Sequence, residues 1–125
     1  MSKRILVVED QEDNRRILRD LLTSVGYEII EAHSGEEGVV LAETQIPDLI
    51  LMDIQLPGID GYEATRRIKA NPALRQIPVI AVTSYALSGD DAKALEAGCD
   101  AYVSKPYSPR QLLAKVREFL AQSSP

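Results

Sequence analysis

The chain has 125 residues, of which 45% are hydrophobic and 26% charged, with a formal net charge of −5; that suits one soluble domain with a real core. The acidic balance argues against nucleic acid as the main partner, because a phosphate backbone asks for a basic patch. Cys99 is the one cysteine, which excludes an internal disulfide or a cysteine metal cluster, and no run of roughly 18 apolar residues offers a membrane span.

Met1-Ser2-Lys3-Arg4 leads straight into a strand without a signal-peptide core, so the expected location is cytoplasmic. No repeat or linker interrupts the chain. Five apolar runs alternate with five helical patterns.

Ile5-Leu6-Val7-Val8 is the first strand and ends in Glu9-Asp10. A helix begins near Glu12, with Ile17, Leu18, Leu21, Leu22 and Val25 at helical spacing, and Gly26 as its stop. Tyr27 to Ala32 alternates more than the other strands, which predicts an edge position. Ser34 and Glu37 form a capping box for the second helix, which runs to about Thr44 before Ile46-Pro47.

Leu49-Ile50-Leu51-Met52 is a continuous apolar run, expected to be a strand buried on both faces. Asp53 follows it directly, where a lone carboxylate is costly unless something pairs with it. A helix-capping role would explain such an aspartate, but Asp60, with Glu63, is the better cap for the third helix. That helix stops before Asn71-Pro72. Its Arg66, Arg67 and Lys69 read as a solvated face.

Pro78 to Val82 is the fourth strand, followed by Thr83-Ser84. An alanine-rich helix from about Leu87 to Ala97 should pack lightly, and Gly98 ends it. The short fifth strand, Ala101-Tyr102-Val103, leads into Ser104-Lys105-Pro106. Ser108, Pro109 and Gln111 open the last helix, whose core stripe is Leu112, Leu113, Val116, Phe119 and Leu120.

Strict alternation predicts an α/β fold, a doubly wound parallel sheet covered by helices on both faces. Ligands in such sheets sit beyond the carboxyl ends of the strands. Glu9, Asp10, Asp53, Thr83 and Lys105 all fall at that edge. Each alone has a structural explanation, as a first-turn helix charge, a cap or a solvated lysine, but folding does not ask for the whole set.

The chemistry of the set is coherent. Three carboxylates repel one another and call for a cation, and an oxygen-only donor set with room for water suits Mg²⁺. A site with a cation, a lysine and a hydroxyl suits a phosphoryl group, and an aspartate can accept one as a nucleophile. Asp53 is central in the set. His33 follows the second strand, away from the cluster, and is expected to be solvated.

In these residues the chain resembles the response-regulator receiver domains, the CheY-like family, and within it the stand-alone regulators of the DivK type. The resemblance rests on Glu9-Asp10, on Leu51-Met52-Asp53-Ile54-Gln55-Leu56-Pro57 with Gly58 and Gly61, on Val82-Thr83-Ser84, and on Lys105-Pro106. It covers Lys3 to about Leu120. The strand order 2-1-3-4-5 comes with the resemblance and not from the pattern.

The resemblance implies a single receiver domain without an output domain, a phosphoacceptor and not a conventional enzyme, which assists its own phosphorylation and dephosphorylation. Asp53 would be phosphorylated by a histidine kinase or histidine phosphotransfer protein. Asp10, Asp53 and the Gln55 carbonyl would bind Mg²⁺ (or Mn²⁺), with Glu9 acting mainly through water. Thr83 and Lys105 would hold the phosphoryl group, and Lys105-Pro106 would be cis. Thr83 and Tyr102 would be the switch pair, reshaping the face of the fourth helix, fifth strand and fifth helix toward a downstream protein. Gln55 and Tyr85 would tune phosphoryl lifetime, with a bulky Tyr85 slowing its loss. Kinase docking would fall on Gln11, Asn14, Arg15, Leu18, Pro106 and Tyr107. No nucleic acid or membrane partner is implied, and a monomer or weak dimer is expected.

Other readings compete. A flavodoxin-like FMN binder would need a Ser/Thr/Gly-rich phosphate loop where Glu9-Asp10-Gln11-Glu12 stands. An aspartyl phosphatase would resemble an Asp-x-Asp pair after the first strand, whereas Asp53 follows the third and Gln55 stands two residues on. A receiver-like interaction module working without phosphorylation, or a receiver excised from a hybrid histidine kinase, would keep the same fold.

Overall fold

The computed structural model describes residues 3–83 and 90–122. Strands and helices alternate along it: β1 Arg4–Val8, α1 Glu12–Thr23, β2 Glu28–Ala32, α2 Gly35–Gln45, β3 Leu49–Asp53, α3 Gly61–Ala70, β4 Val79–Thr83, α4 Asp90–Ala97, β5 Ala101–Ser104 and α5 Pro109–Gln122. The expected start of the fourth helix at Leu87, together with Ser84 and Tyr85, lies outside the described residues.

The five strands form one sheet in the order β2-β1-β3-β4-β5, and every pairing is parallel. β3 sits at the centre because both of its faces are apolar: Leu49 to Asp53 are all buried. Strand side chains alternate between faces, and the core divides accordingly. Leu6, Val8, Ile50, Met52, Val79 and Ala81 meet Ala42, Ala64, Ile68 and Ala94 from α2, α3 and α4. Ile5, Val7, Leu49, Leu51 and Ile80 meet Leu18 and Leu22 of α1 and Leu112, Val116 and Leu120 of α5. β2 is the edge that its alternation predicts. α4 is lightly packed as expected: its buried residues, among those described, are Ala94 and Ala97.

Some details differ from the sequence-based expectation. Ile17 and Val25 are exposed, not core. α1 ends at Thr23, so Val25 lies beyond its last turn, and Ile17 faces about 100° away from Leu18 on the helix. In the α2 cap, Ser34 accepts from the Glu37 N–H as expected, but Glu37 reaches back to the His33 N–H and not to that of Ser34. Asp60 caps α3 by accepting from the Glu63 N–H, while the Glu63 carboxylate turns to Arg66 and Arg67.

Lys69 is not part of a solvated face. Its Nζ donates to the carbonyls of Arg75 and Ile77 and pairs with Asp100 Oδ2 at 3.0 Å. Asp100 Oδ2 also accepts from the Val79 N–H, so this one lysine ties the end of α3 to the start of β4 and to the turn before β5.

Candidate functional site

Parallel register carries the strand ends to one line. Val8 stands opposite Met52, Asp53 opposite Val82, and Thr83 opposite Ser104. Backbone bonds continue the ladder past the strands, from Glu9 N–H to Ala32 O, Ile54 N–H to Val82 O and Lys105 N–H to Thr83 O. Glu9, Asp10, Asp53, Thr83 and Lys105, far apart in sequence, therefore gather at one edge.

Carboxylate oxygens of Glu9, Asp10 and Asp53 all lie within 4.8 Å of one another. Glu9 and Asp53 are buried, and Asp10 is half-buried. Lys105 Nζ stands 3.5 Å from Asp53 Oδ2 and 3.7 Å from Glu9 Oε2. Asp53 Oδ1 accepts from the Gln55 N–H at 3.1 Å. Thr83 is buried at the end of β4, one residue past the Val82 that stands opposite Asp53, and the Lys105–Pro106 peptide is cis.

Gly61 lets the start of α3 approach closely: its N–H donates to Ile54 O, and a methyl there would collide with the Asp53 carbonyl oxygen and Ile54 Cα. The close approach presses α3 against the backbone that carries Asp53.

Burial pushes Glu9 up to about 7 from its ordinary 4.5, with a hydrogen bond to Asp53 adding to the rise and one from Asn14 opposing it. Burial also raises the Tyr107 hydroxyl, and Glu9 nearby adds to it. The cluster thus holds more carboxylate than one lysine offsets. Its all-oxygen donors, crowded at this distance, fit a hard divalent cation such as Mg²⁺. Burial first, and Asp53 beside it, favour the neutral form of Glu9.

Next to the cluster lies an apolar cleft of about 560 Å³, walled by Ile17 and Leu18 on one side and Pro106, Tyr107 and Pro109 on the other. Glu9, Asp53 and Lys105 also line it. Of the residues expected to dock a kinase, Leu18, Asn14, Pro106 and Tyr107 line this cleft. Gln11 is exposed and donates toward Asp10. Asn14 also points at the acidic group, donating from Nδ2 to Glu9 Oε1 at 2.8 Å.

Arg15 departs from expectation: it is buried and faces β2 and the acidic loop, not the surface. A sequence signal exists for this. Arg15, Leu18 and Leu22 share the buried face of α1 at helical spacing, so the arginine stands in the apolar stripe. Ile17, one of the apolar residues at helical spacing, is 57% exposed and lines the cleft. Tyr102 is 39% exposed and stands on β5 opposite Ala81. Tyr85 lies outside the described residues. His33 is solvated, as expected.

Residues 5–117 match the family described as response regulator receiver domain. The chain is 45% identical over 123 residues to the polar-differentiation response regulator DivK of Brucella ovis, covering 98% of this chain and 100% of that one. It is 38% identical to the receiver domain of a sensor histidine kinase from Pseudomonas aeruginosa, whose structure holds a magnesium ion coordinated in the active-site cleft. The two superimpose with a TM-score of 0.90, covering 97% and 99% of the chains. A CheY-like receiver domain protein from Methanospirillum hungatei is 36% identical with a TM-score of 0.88, covering 98% and 96%.

Proposed function

The chain belongs to the response regulator receiver domain family, and we propose that it takes a phosphoryl group onto Asp53 from a phosphohistidine of a histidine kinase or histidine phosphotransfer protein. The observation that carries this reading is the position of Asp53. Its buried carboxylate lies close to two further carboxylates and to Lys105, and lines a cleft. In the transfer, an Asp53 oxygen forms the new O–P bond as the N–P bond of the donor breaks, and the departing imidazole nitrogen keeps the electron pair. Lys105 and Thr83 hold phosphoryl oxygens.

Asp10, Asp53 and the Gln55 carbonyl would hold Mg²⁺ (or Mn²⁺), with Glu9 completing the acidic wall. A bound ion supplies neutralisation of phosphoryl charge. The cleft receives the donor, with Leu18 and Ile17 giving apolar contact beside the reacting carboxylate.

The chain acts as a receiver that assists its own phosphorylation and dephosphorylation and signals through protein contacts. Thr83 and Tyr102 form the switch, and the face of α4, β5 and α5 is read by a downstream protein. Gln55 and Tyr85 set phosphoryl lifetime. The 45% identity to DivK over that protein's whole length supports a stand-alone regulator. The 38% identity to the receiver domain of a sensor kinase supports the second reading, a receiver belonging to a hybrid kinase. Among the described residues no helix is long and apolar enough to cross a membrane.

Mass spectrometry after incubation with acetyl phosphate and Mg²⁺ tests the central step. A single adduct of about 80 Da that needs Mg²⁺ and is absent from Asp53→Asn is expected. No adduct from acetyl phosphate or from a phosphorylated histidine phosphotransfer protein, together with no Mg²⁺ binding, would overturn it and leave an unphosphorylated interaction module.

A further inference from the structure

Arg15 is a charged residue set into the buried face of a helix, only 8% exposed. Nothing in phosphoryl transfer calls for it directly. Its Nη1 donates to the carbonyl of Glu9 at 2.9 Å and to that of Asp10 at 3.3 Å. Its Nε lies 3.4 Å from Glu31 Oε1 on β2. Arg19, one turn further along α1, pairs with the other oxygen of the same carboxylate at 3.0 Å.

The loop between β1 and α1 carries two of the three acidic side chains, and its backbone is held from two sides. On one side the Glu9 N–H donates to Ala32 O of β2. On the other, both carbonyls of the acidic pair turn to one guanidinium. One guanidinium nitrogen, Nη1, reaches both carbonyls, while Nε is buried against Glu31 as an ion pair without a hydrogen bond; a lysine ammonium, a single point charge, could not stand at both places. Paired with Glu31, the guanidinium contacts the backbone carbonyls of both residues whose carboxylates enter the cluster. It touches no reacting atom.

We infer that Arg15 is a positioning residue that presets the Glu9–Asp10 loop for divalent-cation binding, with Glu31 of β2 as its anchor. The inference rests on the metal site proposed above, but its structural half stands apart from it: the loop is ordered by Arg15 with or without a cation. Partners of this kind, one layer behind the ligands, are worth about 10- to 100-fold in metal affinity.

The test compares wild type with Arg15→Met, Arg15→Lys and Arg19→Met. Mg²⁺ dissociation constants are measured well below the melting temperature of each protein, with amide hydrogen exchange of residues 9–11 followed in the metal-free state. Arg15→Met should weaken Mg²⁺ binding about 10- to 100-fold and speed exchange in the loop beyond any global loss of stability. Arg15→Lys should fall between it and wild type. Arg19→Met, which removes half of the Glu31 pairing but no contact to the loop, should bind Mg²⁺ as wild type does.

A folded Arg15→Met with affinity within about twofold of wild type and an unchanged loop would overturn the inference. So would equal weakening by Arg19→Met, which would make Arg15 an ordinary helix-to-strand tie. If Arg15→Met does not fold, Arg15→Lys with wild-type affinity and exchange overturns it equally. If wild type itself binds no Mg²⁺, the metal reading fails, and the exchange comparison still decides whether Arg15 orders the loop.

Discussion

Glu9 is held under electrostatic tension. It is buried, faces Asp53, and has one amide and one lysine for relief. Its folded pKa of about 7 lies above the ordinary 4.5, so its neutral form is the one the metal-free fold prefers. The stability tied to that form is complete below about 4.5 and is lost as pH rises through about 7. In the metal-free protein, wild type should therefore lose stability across this window relative to Glu9→Gln, whose glutamine cannot ionise. Thermal melts of both from pH 5 to pH 8 check the sign; parallel curves would refute it. Mg²⁺ binding should strengthen over the same window, because a cation favours the ionised carboxylate and displaces its proton.

At the scale of elements, α1 has a divided role. One face packs Leu18 and Leu22 into the core and holds Arg15 against the acidic loop, while Ile17 opens onto the cleft. Lys69 does comparable work at the far edge of the sheet. Its ammonium joins two carbonyls of the α3–β4 connection to Asp100. Lys69→Met should leave the part-buried Ile77 carbonyl short of a donor and cost about 1–3 kcal/mol. Because the contact lies at the opposite end of β4 from Thr83, Mg²⁺ affinity should not change. Denaturant melts and a metal titration on the same variant separate the two effects.

At the scale of the whole molecule, one central strand links core and site. Leu49 and Leu51 serve the layer under α1 and α5, Ile50 and Met52 serve the other, and Asp53 ends the same strand at the acidic cluster. A truncation within the strand should then be felt globally. Leu51→Ala, at a position 1% exposed, should cost about 2–5 kcal/mol, visible as a lower denaturation midpoint. A loss below about 1 kcal/mol would mean that the core relaxes around the gap more freely than this packing implies.

The sequence by itself determined the alternation of strands and helices, the fully buried third strand, the edge position of the second, and the caps at Ser34, Asp60 and Ser108. These are local: periodicity, turn chemistry and capping act within a few residues. Parallel topology then required residues after the first, third, fourth and fifth strands to share one edge, so Glu9, Asp10, Asp53, Thr83 and Lys105 could be grouped from sequence. Tertiary structure alone decided which groups face which. It turned Arg15 inward to the Glu9 and Asp10 carbonyls, aimed Asn14 at Glu9, left Ile17 on the cleft and drew Lys69 onto Asp100. Such outcomes depend on the direction in which a side chain leaves its helix and on buried polar groups that need partners from distant segments. No local pattern contains that information, because the partner exists only once the chain has folded.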